Sequence, residues 1–382
     1  VTPACVADFR LAAKARLPRV LFDYIDGGSY AEATLRANVA DIEAVTLRQR
    51  VLRDVSTLKL STTVFGQDLA MPVILAPVGL AGMYARRGEA QAARAAKTTG
   101  VPFSLSTVGI GSIREVTAAA SQPPWFQLYM MKDRGFMAEL LALAREAACP
   151  VLLFTVDLPV PGARYRDARN GMVAATTGER LRQGLDGLAH PAWLWDVWLH
   201  GRPHTLGNIA GPGREDLAGI GRYWTWIGRN FDPSVTWKDI DWVRERWSGP
   251  IALKGVLDVE DARAARAAGV EGIVVSNHGG RQLDGAPSSI RVLPDIAEAV
   301  GDDLTVLMDG GIRSGLDVLK ALSLGAKACL IGRAWAWSLG AGGEAGVARM
   351  LAILSQELRV AMAMTGCVDV AEAGPDLLAG YA

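Results

Sequence analysis

The sequence predicts an α/β fold of the (β/α)8 TIM-barrel kind, with an N-terminal helical cap and a long excursion after strand 4. Two observations carry this expectation. Eight short apolar, strand-like runs follow one another from Met71 onward, and helical stretches lie between most of them. That is the alternation and the count of a (β/α)8 barrel. A doubly wound open sheet is the competing arrangement, but the G-x-G-x-x-G fingerprint is missing after the first strand.

Residues 1–70 read as the cap and 71–382 as the barrel, together one domain. Within the cap, 6–15 and 18–24 are expected as short helices, the second with Pro18 at its start. Asp26-Gly27-Gly28-Ser29 then breaks the chain; 31–45 is helical again and 51–66 reads as extended pieces with turns. The barrel strands are expected at 73–76, 102–105, 125–128, 151–156, 251–254, 272–276, 305–308 and 328–331. Helices are expected at 88–99, 112–120, 136–147, 259–268, 293–299 and 315–324, with a final amphipathic segment at 339–364. Between Val156 and Ile251 the rhythm breaks for more than ninety residues, far beyond an ordinary βα unit. The middle of this interval, about 176–235, is rich in glycine and, with the residues just after it, in tryptophan (Trp193, Trp195, Trp198, Trp224, Trp226, Trp237, Trp242, Trp247). It reads as an active-site lid or subunit contact, or as a membrane-facing surface.

Composition removes several classes. Forty basic and forty acidic residues give zero formal charge, so no global field draws the chain to nucleic acid. The four cysteines (Cys5, Cys149, Cys329, Cys367) lie far apart without metal-ligand spacing, which points to free thiols and no metal. There is no apolar run of about 18 residues to span a bilayer, and no signal-peptide h-region at the start.

The richest stretch is Gly272-Ile-Val-Val-Ser-Asn-His-Gly-Gly-Arg-Gln-Leu-Asp284. It reads as a buried strand ending in a loop that carries His278 and, three residues on, Arg281. Imidazole is suited to take a proton near neutral pH, and guanidinium grips a carboxylate in two places. The pair suggests proton abstraction close to an acid group. The other strand ends are polar or small too: Ala76-Pro77-Val78-Gly79, Ser106, Gln127 and Tyr129, Thr155 and Asp157 followed by Arg164, Lys254, Ser276, Asp309-Gly310-Gly311-Ile312-Arg313, and Gly332-Arg333. Glycine turns with arginines after the last two strands are where barrels commonly bind phosphate. A phosphate site, neutral hydrogen-bonding groups and one lysine suit flavin mononucleotide (FMN). A phosphorylated sugar would fit the turns but would leave Lys254 and His278 together unexplained.

Residues 276–284 resemble the signature of the FMN-dependent α-hydroxy acid dehydrogenases and oxidases. The likeness runs from Leu17-Pro18 through Asp23-Tyr24, Gln127-Leu-Tyr129, Thr155-Val-Asp157, Lys254-Gly255 and Asp309-Gly-Gly311 to Gly366-Cys367. Within that family, Ala76-Pro-Val-Gly-Leu80, Tyr84-Ala-Arg-Arg-Gly88, Pro161-Gly-Ala-Arg-Tyr-Arg-Asp167, His200-Gly-Arg-Pro-His204 and Asn230-Phe-Asp-Pro233 resemble the respiratory bacterial L-lactate dehydrogenases.

The resemblance implies oxidation of an L-2-hydroxy acid to the 2-oxo acid, foremost L-lactate to pyruvate, with electrons passed to a quinone or other acceptor. It implies His278 as the base and Asp157 as the group that holds it. Tyr129 would bond the substrate hydroxyl, and Arg164, Arg281 and Tyr24 its carboxylate. Ala76 to Gly79, Ser106, Gln127, Thr155 and Lys254 would hold the flavin ring; Ser276, Asp309, Gly310, Gly311, Arg313, Gly332 and Arg333 would hold ribityl and phosphate. It further implies a tetramer or larger homo-oligomer, either cytoplasmic or peripheral at the cytoplasmic face of the bacterial inner membrane, with the 176–235 excursion as the membrane contact. Two departures bear on the substrate. Glycolate oxidases carry alanine where Gly79 stands and tryptophan where Val108 stands, so the side-chain space here is larger. Mandelate dehydrogenases also have glycine at the Gly79 position, which keeps (S)-mandelate as the alternative.

Overall fold

The computed structural model describes residues 2–173, 175–210 and 223–380. Three helices come first: α1 (Val6–Arg16), α2 (Arg19–Asp26) and α3 (Ala33–Ala44). A hairpin of β1 (Thr62–Val64) and β2 (Gln67–Leu69) follows. The barrel strands are β3 (Val73–Leu75), β4 (Ser104–Ser106), β5 (Trp125–Tyr129), β6 (Leu152–Thr155), β7 (Ile251–Val256), β8 (Gly272–Val275), β9 (Thr305–Met308) and β10 (Ala328–Ile331). All eight are parallel in the order β3-β10-β9-β8-β7-β6-β5-β4, and a parallel bridge from Leu75 to Phe103 closes the ring between β3 and β4.

The strands read as unbroken apolar runs because both their faces are buried. Ile74, Leu153, Ala252, Val274, Leu307 and Leu330 fill the inside, while their neighbours Leu75, Phe154, Leu253 and Ile273 pack outward against the helices. The hairpin belongs to the inner cluster through Val64 and Leu69. Phe65 at its tip meets Trp125 edge to face at 5.7 Å, and Trp125 Nε1 donates to Gln67. Both contacts lie where β5 begins, so the hairpin closes the N-terminal end and leaves the C-terminal mouth as the place for a site.

The outer helices are α4 (Gly88–Thr99), α5 (Ile113–Ala120), α6 (Arg134–Glu146), α12 (Val259–Ala267), α13 (Ser289–Val300), α14 (Gly315–Ser323) and α15 (Arg333–Thr365). The interval after β6 contributes α7 (Tyr165–Arg169), α8 (Thr177–Leu188), α9 (Pro191–Trp193, continued by a π turn over Leu194–Leu199), α10 (Tyr223–Asn230) and α11 (Lys238–Arg244). Two of its glycines, Gly178 and Gly184, lie within α8, in open space. What starts that helix is a capping box, in which the Thr176 hydroxyl accepts from Glu179 N–H and the Glu179 carboxylate accepts from Thr176 N–H. The last helix also differs from expectation. It begins at Arg333, directly after β10, and is broken at Gly343, whose φ of 61° is left-handed.

The cap reaches the barrel mouth. Arg10 and Arg166 both hold the buried Asp26, at 2.5 and 2.9 Å. Burial alone would raise that carboxyl, but the two guanidinium groups outweigh it and keep it below the usual carboxylate range. Ser29 N–H donates to Gly280 O and Tyr30 N–H to Ala163 O, which lays the end of α2, with Tyr24, over the C-terminal face.

Candidate active site

A cavity at the C-terminal mouth is lined from nearly every strand end. Its walls include Tyr24, Ala76, Pro77, Val78, Gly79, Tyr129, Thr155, Arg164, Lys254, His278, Arg281, Asp309, Gly310, Gly311, Arg313, Gly332 and Arg333. The remaining residues singled out from the sequence stand one layer behind. Gln127 Nε2 donates to Thr155 Oγ1 at 3.0 Å, and Ser106 Oγ donates to Gln127 Oε1 at 3.2 Å. Ser276 Oγ accepts from Lys254 Nζ and from His278 N–H, both at 3.0 Å. Asp157 Oδ1 lies 2.9 Å from His278 Nδ1.

The loop after β8 is held in an unusual shape. His278 has φ +58°, and Gly279 and Gly280 follow with φ of 66° and 72°. This left-handed run suits glycine and costs a histidine about 1 kcal/mol. Asn277 fixes it by exchanging two 2.8 Å side-chain bonds with Asn38 of α3 and accepting from Gly280 N–H. At the neighbouring strand end, Gly255 has φ +113°, and a Cβ there would overlap the Asp157 side chain. Only glycine lets the carboxylate reach the imidazole.

Charges follow from burial and neighbours. Burial pushes the His278 imidazole below its ordinary 6.5; Asp157 offsets part of this, while Lys254 and Arg164 add to it. Burial opposes ionisation of Asp157 as well, but His278 and Lys254 keep it a carboxylate, below its usual range. Lys254 is buried too, yet Asp309 at 2.9 Å and Asp157 hold its ammonium above its ordinary value. Burial raises the Tyr129 phenol strongly, so it stays protonated.

Opposite this group, Arg281 Nη1 donates to Tyr24 O at 2.6 Å and Gly27 O at 2.9 Å, and its guanidinium lies 5.0 Å from the Tyr24 ring centre. Arg164 lies 5.8 Å from the same ring. Sequence reasoning passed over several further wall residues, among them Tyr84, Leu158, Ile227 and Phe231. Tyr84 donates to Gly79 O at 3.1 Å, and the Phe231 ring lies 4.8 Å from that of Tyr129, tilted by 32°. Tyr84 and Phe231 fall inside stretches that carried the family resemblance, but no local pattern marks them as wall residues. Ile227 and Phe231 come from the far end of the excursion, which is pinned to β5 by a Met131–Phe231 bridge and by Arg134 on Asp232 and Asp239.

The far end of the cavity fits a phosphate. Gly310 and Gly311 have φ of 92° and 91°, and a Cβ at Gly311 would overlap Asn38 O. Arg313 is held by Ile312 O and the face of Trp337, and burial lowers it to about 10. Arg333 donates to the carbonyls of Ile25, Gly27 and Gly279; burial, Arg281 and Arg313 lower it as well. Among the described residues neither guanidinium forms a salt bridge, and both line the cavity, which suits an anion. With the neutral hydrogen-bonding wall of Thr155, Gln127 and Ser106, and with Lys254 beside it, the donor set matches a flavin mononucleotide.

This is the site of an FMN-dependent oxidoreductase. The chain belongs to the FMN-dependent dehydrogenase family, whose pattern matches residues 13–380. It is 59% identical to an L-lactate dehydrogenase of Caulobacter sp. (strain K31) over 359 residues, 94% of each chain. It is 57% identical to the L-lactate dehydrogenase of Chromohalobacter salexigens, covering 97% of this chain and 94% of that one. Among solved structures, (S)-mandelate dehydrogenase, described as a monotopic membrane protein, superposes with a TM-score of 0.92 at 34% identity, covering 99% of this chain and 100% of that one. A mandelate oxidase superposes with a TM-score of 0.84 at 39% identity, over 99% and 98%.

Proposed function

We propose that this protein oxidises L-lactate to pyruvate and passes the electrons to a quinone. The observation that carries the reading is one cavity lined by His278, with Asp157 behind it, by the guanidinium groups of Arg164 and Arg281 and by the Tyr129 phenol. The high identity to proteins named L-lactate dehydrogenase supports lactate as the substrate.

Bound FMN supplies the acceptor for the electron pair leaving the substrate. The ring would be held by the backbone of Ala76 to Gly79 and by Ser106, Gln127, Thr155 and Lys254. Ser276, Asp309 to Arg313 and Gly332-Arg333 would hold ribityl and phosphate. Arg164 and Arg281, with the Tyr24 hydroxyl, orient the substrate by its carboxylate. A carboxylate can only accept a hydrogen bond, so Asp157 fixes the proton on His278 Nδ1 and leaves the Nε2 lone pair for the substrate proton. Asp157 then stabilises the imidazolium that forms. Tyr129, kept protonated, donates to the substrate oxygen.

A pH dependence follows with a definite sign. The active imidazole is neutral and its proton affinity is depressed, so cofactor reduction should fall toward acid with a midpoint below 6.5. Asp157→Asn removes the charge that supports the imidazolium. Stopped-flow reduction should then show the midpoint moved further to acid and the plateau lowered by about 10²- to 10⁴-fold. A midpoint moved upward would contradict the pairing.

Mandelate is the second reading, favoured by the small residues Gly79 and Val108 in the cavity wall. A panel of 2-hydroxy acids with and without oxygen separates the two readings, and also separates dehydrogenase from oxidase. Val108→Trp should cut kcat/KM for mandelate at least about tenfold more than for lactate; equal losses would place the side chain of the substrate elsewhere.

We further propose peripheral contact with the cytoplasmic face of the bacterial inner membrane, and a tetramer or larger assembly to be checked by light scattering. Among the described residues no helix is long and apolar enough to cross a membrane. The tryptophans in and just after the excursion divide: Trp193, Trp226 and Trp247 are buried, Trp242 is half-buried, and Trp195, Trp198 and Trp237 are exposed; Trp224 lies outside what is described of side chains. Leu181, Leu185 and Leu188 form an exposed face of α8 beside Arg180 and Arg182, with Trp195 and Leu199 exposed on the next turn. Apolar faces flanked by arginine suit an anionic lipid surface. Leu181→Asp with Leu185→Asp and Trp195→Asp should abolish co-sedimentation with anionic vesicles and spare reduction by lactate. Unchanged sedimentation would remove this face from the account.

A further inference from the structure

A second cavity, of about 430 Å³, lies against the first. It sits on the outer side of the barrel wall, where Phe154 of β6 and Leu253 and Val256 of β7 face the segment that leads into α11. In a regular barrel a helix packs over this wall. Here the excursion returns through Pro233, Val235 and Trp237 and leaves a gap. Tyr129, Thr155 and Leu158 line both cavities, so a molecule in the second is separated from the first by a single layer of side chains.

The lining states what such a molecule would be. No lysine or arginine contributes to it among the described residues, and its charged groups are the carboxylates Asp232 and Asp261. A phosphorylated or anionic ligand would meet repulsion and no counter-charge. Apolar surface is open to solvent at the same place: Val156 is 38% exposed and Trp237 41%. The volume falls in the range of small-molecule sites, roughly 300–1,000 Å³. The lining thus favours a neutral, apolar molecule of ring size, placed next to a redox site.

We infer that this cavity is the acceptor site, in which a quinone docks while the first cavity still holds the oxidised substrate. The inference rests on the function proposed above and adds the place of its second substrate. Conversion of the hydroxy acid to the oxo acid releases two electrons and two protons. The quinone takes up two electrons and two protons and leaves as the quinol, so the turnover balances without another reactant.

The test uses the holoenzyme with menadione as the probe. Val235→Trp fills the cavity, and Val235→Asp places a charge in it; Val235 lines the second cavity and not the first. Equilibrium dialysis should show menadione bound to the oxidised wild type and not displaced by pyruvate. Both variants should weaken this binding at least tenfold and raise KM for menadione to match, while anaerobic reduction by L-lactate stays unchanged. Displacement of menadione by pyruvate, or unaltered binding in both variants, would overturn the inference. So would a changed oligomeric state with unaltered menadione binding, which would make the cavity a contact between copies. Failure of L-lactate to reduce the wild-type cofactor would count against the proposed function itself, and dialysis reads the second cavity independently of that.

Discussion

His278→Gln is expected to slow reduction of the cofactor by L-lactate about 10²- to 10⁴-fold while the protein keeps its FMN. Glutamine matches the imidazole roughly in length and polarity but cannot accept the substrate proton. The left-handed backbone at position 278 suits histidine better than glutamine, and retention of FMN on the same sample separates a folding loss from a chemical one. The cradle proposed for the phosphate, Gly310, Gly311, Arg313 and Arg333, is built from other strands, which is why binding of the cofactor should survive. Retention and rate are read on one sample, from the visible spectrum and from stopped-flow mixing. A variant that still bleaches at the wild-type rate would remove His278 from the chemistry.

Arg281→Lys should weaken substrate binding by about 10- to 100-fold, the equivalent of one charge-assisted hydrogen bond of roughly 1.5–3 kcal/mol. Among the described residues Arg281 donates through Nη1 alone, to the carbonyls of Tyr24 and Gly27, which leaves the other N–H groups of the fork to face a carboxylate. Lysine preserves the charge and loses the fork. Arg333 holds Gly27 O as well, at 2.8 Å, and should keep the cap in place. The effect should therefore fall on the Kd for lactate, measured by titration of the oxidised spectrum, and spare that for FMN. An unchanged lactate affinity would mean that the carboxylate binds elsewhere.

The barrel was legible because every strand is buried on both faces and announces itself as an apolar run, with β9 and β10 at their expected bounds. Strand ends were legible for a related reason: a polar side chain there interrupts a pattern that packing alone would continue. His278, Lys254, Thr155 and Asp309 all stand out in this way. Other features depend on contacts distant in sequence. Tyr84, Ile227 and Phe231 look like ordinary core residues, and only the return of the excursion onto β5 brings the last two to the cavity. The hairpin that closes the barrel floor was read merely as extended pieces, since strands of three residues carry too little periodicity to show a pairing. No helix was expected within the excursion, where a capping box and an exposed helix face outweigh the low helix propensity of glycine in α8.

The central claim is that one cavity binds FMN together with a 2-hydroxy acid whose proton His278 takes as the electron pair leaves for the flavin. Anaerobic titration of the FMN-loaded protein with L-lactate, followed at the oxidised-flavin absorbance, tests it most directly. The account predicts fast, stoichiometric bleaching, with the colour restored by an added quinone. A spectrum left unchanged by lactate and by every other 2-hydroxy acid tried would contradict it.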